Sequence, residues 1–126
     1  MWGFPKATAK RSRRSRPESD AMGDYLNTTF SHQLLELTSV DPVRLRDTDT
    51  LAALLVSAAG AAGMPSLGPP VVREGAGGIA VALLCLEGHI VLHGAPAEGV
   101  CLVEIIARAP ANVSKGIDVI SRRLGS

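Results

Sequence analysis

Aromatic residues make up only 3% of the 126-residue chain, and beyond the first twenty positions they are Tyr25 and Phe30 alone. So few rings leave little with which to stack a flat ligand. Cysteine is limited to Cys85 and Cys101, each inside an apolar, strand-like run. Two such thiols fit the reduced cysteines of a cytoplasmic protein better than a structural disulfide. The sequence has no run of about 18 uncharged apolar residues that would span a membrane, and no apolar signal core follows its start. A soluble, cytoplasmic protein is therefore expected. With 46% apolar residues the chain has enough hydrophobic material for one domain with a small core.

The net charge of +1 conceals an asymmetry, because Lys6, Lys10, Arg11, Arg13, Arg14 and Arg16 all precede residue 20. The stretch Lys10 to Arg16 could hold nucleic-acid phosphates, but it has no interleaved aromatics and no adjoining nucleic-acid fold. Residues 1–24 are expected to form a disordered basic tail, and residues 25–126 the folded domain. Met22 leads directly into the first strand and is an alternative start.

Thr28 to Leu37 is rich in β-formers and reads as a strand closed by the turn signal Asp41-Pro42. Asp47 or Thr48 can cap a helix whose Leu51, Leu54, Leu55, Ala58 and Ala62 share one face, with Gly63 ending it. Val71-Val72 suggests a short strand. Ile79 to Cys85, His89 to His93 and Val100 to Ala107 supply three more, with Gly88 expected to take a positive φ in a hairpin turn. Gly75-Ala76-Gly77-Gly78 is not a phosphate loop, because it lacks a following Lys-Ser/Thr and leads into a strand. A second helix is marked by Val113, Ile117, Ile120 and Leu124, capped near Asn112 and stopped by Gly125. The fold class is α+β, a two-layer sandwich of a mostly antiparallel sheet with two helices on one face. The apolar strands Ile79 to Cys85 and Val100 to Ile106 predict that the other sheet face is buried in a dimer.

His89 and His93 would share a strand face about 13 Å apart, too far to ligate one metal ion. No metal site is expected. The segment Glu87-Gly88-His89-Ile90-Val91-Leu92-His93 nevertheless resembles the self-cleavage segment of the small bacterial and archaeal S-adenosylmethionine decarboxylases, where Glu-Ser-His precedes a strand ending in a second His. His32 to Leu37, Asp41-Pro42, Leu45, Asp47 and the helix ending Ala61-Ala62-Gly63 are similar to that family's opening. Pro96, Gly99 and Glu104 fall near its Trp-Pro-Glu-Tyr-Gly and acidic strand positions.

The resemblance implies a chemistry in which the serine attacks the preceding carbonyl and β-elimination leaves a pyruvoyl group, the electron sink for decarboxylation. Gly88 stands at the serine's place and has no nucleophile, so no pyruvoyl cofactor is expected and no catalytic residue is assigned. Glu87, Gly88 and His93 are the family-equivalent positions, and Cys85 is the one alternative nucleophile nearby. Ala95 replaces the family's Trp, Ala97 its Glu, and Arg108 its Cys proton donor. The expectation is a pseudoenzyme linked to polyamine metabolism, holding a nucleoside-like or polyamine ligand, as a homodimer or as a heterodimer with an active homologue. The alternatives are an active decarboxylase in spermidine biosynthesis and nucleic-acid binding through the basic tail.

Overall fold

A computed structural model describes residues 7–14 and 30–125. Six strands form one antiparallel sheet in the order β1-β2-β6-β5-β4-β3. They are β1 (Thr8–Arg14), β2 (Phe30–Thr38), β3 (Val71–Gly75), β4 (Gly78–Leu84), β5 (Gly88–Ala95) and β6 (Val100–Arg108). The helices are α1 (Pro42–Arg46), α2 (Thr48–Ala62) and α3 (Val113–Leu124). The expected α+β two-layer class is the observed one. A third, short helix is added, because Asp41 does more than mark a turn: its carboxylate accepts the Val43 N–H and caps α1.

Helix α2 begins where Asp47 accepts the Thr50 N–H and hydroxyl, and it ends at Gly63, whose φ of 75° is the left-handed conformation that glycine adopts without steric cost. Its Leu51, Leu54, Leu55, Ala58 and Ala62 are buried, as their spacing predicts. Helix α3 is capped by Asn112 and buries Val113, Ile117, Ile120 and Leu124. Both helices cover one sheet face, against Leu35 and Leu37 of β2, Val81 and Leu83 of β4, Ile90 and Leu92 of β5, and Val103 and Ile105 of β6. Alternation along each strand sends the intervening residues to the opposite face. That face carries Phe30, His32, Leu34, Glu36, Val91, His93, Leu102, Glu104 and Ile106, all partly or well exposed.

Two expectations are corrected. Residues 8–14, assigned to a disordered tail, pair with β2 from Thr8↔Thr38 to Arg14↔His32. Composition alone pointed to disorder, whereas the otherwise open edge of β2 offers a row of unpaired backbone groups that any extended segment can satisfy. Arg11 fastens the strand, donating to Asp118 of α3 at 3.0 Å and to Gln33 of β2 at 3.1 Å. Gln33, a buried polar side chain, also donates to the Ser114 hydroxyl. The remaining tail, Met22 included, lies outside the described residues.

Second, Gly88 does not sit in the turn and has no positive φ. The Cys85 N–H donates to the Gly88 carbonyl at 2.9 Å, so the hairpin turns on Leu86 and Glu87 and Gly88 is already a strand residue.

Ile117 is fully buried between α3 and the sheet. Ile117→Ala is expected to cost about 2–5 kcal/mol in denaturant unfolding. A loss below about 1 kcal/mol would mean that α3 is loosely seated.

Candidate functional site

The turn between β4 and β5 is held from three directions. Leu86 N–H donates to the Pro65 carbonyl at 3.0 Å, Arg108 N–H to the Glu87 carbonyl at 3.2 Å, and Ser66 bridges to Cys85. Gly88 pairs with Ala107, and here β6 comes unusually close. A Cβ built on Gly88 would overlap the Ile106 carbonyl oxygen and lie 2.7 Å from the Ala107 Cα. The obstruction is main chain inside a ladder, which cannot swing aside as a side chain would. Glycine at this position is a packing requirement as well as the absence of a nucleophile.

Cys85 lies on the helix-facing side with the core, 5% exposed. Burial raises its thiol pKa and the Glu87 charge raises it further, so the thiolate form needed for attack is disfavoured. Glu87 keeps one carboxylate oxygen, Oε1, buried without a hydrogen-bond partner among the described residues. His93 is exposed on the open face. It lines a groove of about 680 Å³ together with Glu36, Arg73, Glu74, Ala95 and Leu102. Ala97 lies in the 3-10 turn Pro96–Glu98, and Arg108 ends β6, exposed. The structure thus gathers Cys85, Glu87 and Gly88 at one turn and places His93 in the groove.

The sequence did not disclose that Glu104 is shared by two histidines. His32 Nε2 lies 2.8 Å from Glu104 Oε2, and His89 Nε2 lies 3.2 Å from Glu104 Oε1. An ionised carboxylate only accepts, so each ring nitrogen donates. Ile106 is the register partner of both histidines, which places them either side of β6. Alternation with Gln33, Leu35, Val103 and Ile105 was a signal that His32 and Glu104 face outward. Nothing local gave the register that joins them. Among the described residues, no group of three or more His, Cys, Asp or Glu is arranged to hold a metal ion.

The hydrogen bond from His89 lowers the Glu104 pKa most, His32 adds to the shift, and partial burial opposes it. A depressed folded-state pKa stabilises the fold above the unfolded carboxylate value of about 4.3, and that contribution is lost as pH falls through the folded value. Glu104→Gln should therefore be less stable than the wild type at pH 6, with the gap closing as pH falls below about 4. Urea titrations across this range check it; a gap that is independent of pH would show that the carboxylate charge does not matter.

The profile of the S-adenosylmethionine decarboxylase family matches residues 31–126, which takes in β2 to β6 and all three helices. The solved structure of the adenosylmethionine decarboxylase from Aquifex aeolicus VF5 is similar in fold, with a TM-score of 0.67 and 22% identity over 75% of this chain and 79% of that one. No curated protein gives a significant match. Among the described residues no helix is long and apolar enough to cross a membrane. The profile match over three-quarters of the sequence, on a fold shared with the Aquifex structure, makes this chain a member of the S-adenosylmethionine decarboxylase family.

Proposed function

We propose that this protein is a non-processing member of its family, a pseudoenzyme that keeps the fold without the self-cleavage. The observation that carries this reading is Gly88. Processing in the family begins at a serine oxygen, and position 88 supplies neither the oxygen nor, with the Ile106 carbonyl against it, the space for a Cβ. A pyruvoyl group does not fit these residues, and no catalytic step is assigned to one. His93, at the position of the family's second histidine, has no nucleophile to assist. Decarboxylation through Cys85 would need a thiolate from a buried thiol beside a carboxylate, and both surroundings oppose it.

The role left to such a chain is binding. The groove beside His93 is large enough for a small ligand, and its lining carries the carboxylates of Glu36 and Glu74, the single cation of Arg73, and no Phe, Tyr or Trp. That composition supports a polyamine over a nucleoside-like molecule, since amines pair with carboxylates whereas adenine wants a ring to stack on. The open sheet face, with Leu34, Val91, Leu102 and Ile106 on it, is the surface proposed to pair with a second copy or with an active homologue.

Intact mass under denaturing conditions tests the central point. The expected result is one species of 13.1 kDa, or the same chain beginning at Met22, with no carbon dioxide released from S-adenosylmethionine. Two fragments that break near Cys85 to Gly88, the Leu84–Cys85 bond included, would overturn the reading.

A further inference from the structure

Strand β1 lies outside residues 31–126, the stretch that the family profile matches. Its attachment is weak for a strand of seven residues. Thr8 to Ser12 are all exposed, and of the adjoining segment only Ala7 packs partly against the core. Among the described contacts, what holds it is the backbone ladder to β2 and the side chain of Arg11, whose ion pair with Asp118 is between two half-exposed partners, 42% and 51% accessible. Exposed pairs of this kind contribute little and are screened by salt.

Beneath β1 is a firmer structure. β2 is bonded along its other edge to β6, from Phe30↔Arg108 to Leu37↔Cys101, and it buries Leu35 and Leu37 completely. When β1 lifts away, β2 remains in place as a nine-residue edge strand. Beside that edge, Gln33 is fixed by Ser114, and with Asp118 it forms a polar notch of the right spacing to receive a guanidinium. An extended segment with an arginine at its fourth position satisfies ladder and notch together, and β1 is such a segment.

We infer that the β2 edge is a strand-acceptor site which β1 occupies reversibly, and that the same site accepts β1 of a second copy, so that two chains exchange their basic strands. Residues 15–29 join β1 to β2, a connection that can span about 50 Å when extended, which is ample for reaching a neighbouring protomer. The contacts in the exchanged pair are those seen within one chain, so the cost of exchange is that of losing the tether, and it falls as concentration rises. The mode is main-chain strand addition, in which the ladder supplies affinity and the Arg11 notch fixes register. This inference does not depend on whether the chain processes itself.

The test uses the full chain in two singly substituted forms, Thr8→Cys as strand donor and Thr38→Cys as acceptor, at directly paired positions. Opposed residues of an antiparallel pair lie within disulfide range. The native Cys85 and Cys101 are buried, and Ser57→Cys on the exposed face of α2 serves as the collision control. The forms are mixed near 1 mM and oxidised with diamide. The expected product is a Thr8→Cys to Thr38→Cys cross-linked dimer that forms faster than either chain joins the Ser57→Cys control.

Adding Arg11→Ala to the acceptor, which loosens its own strand, should raise that rate about two- to fivefold. Adding it to the donor weakens the strand's own seat and the exchanged seat alike, and should leave the rate nearly unchanged. Cross-linking no faster than the control, or Arg11→Ala acting alike on donor and acceptor, would overturn the inference.

Discussion

Strand β6 is hydrogen-bonded along both edges, to β2 on one side and to β5 on the other, and its placement decides what every neighbouring position can do. The core depends on it, since Val103, Ile105 and Ala107 face the helices from the middle of the sheet. So does the opposite face, where Glu104 reaches His32 and His89 on the flanking strands. The turn depends on it too. Its backbone stands where a side chain on Gly88 would have to go, and its last residue, Arg108, holds the Glu87 carbonyl. A strand fixed on both sides has little freedom to make room, because shifting it breaks two ladders at once.

The helices were legible because their signals are local. Asp47, Gly63 and the leucines of α2, like Asn112 and the Val113-Ile117-Ile120-Leu124 face of α3, each report on neighbours three or four residues away. The strands from β2 to β6 were readable as apolar runs, but their order in the sheet was not. Contacts between distant residues were not readable. No local pattern tells that His32 and His89 meet one carboxylate, because that is a matter of register across three strands. The same limit explains β1, whose charged composition suggests solvent while the vacant edge of β2 and the Asp118 carboxylate, 107 residues away along the chain from Arg11, make a place for it. At Gly88 the expected turn conformation is absent, and what demands glycine is the approach of Ile106 and Ala107.

Fold and site rest on different observations. The profile match and the likeness in fold speak for the sheet and the helices, whereas the proposed loss of processing rests on Gly88, where the β6 backbone leaves no room for a Cβ.

The most direct measurement is on Gly88→Ser, followed by intact mass and by urea unfolding of the same sample. The account predicts a single uncleaved chain that is markedly less stable than the wild type, because the β6 backbone occupies the space of the new side chain. A variant that keeps wild-type stability and separates into two chains with a pyruvoyl end would contradict it.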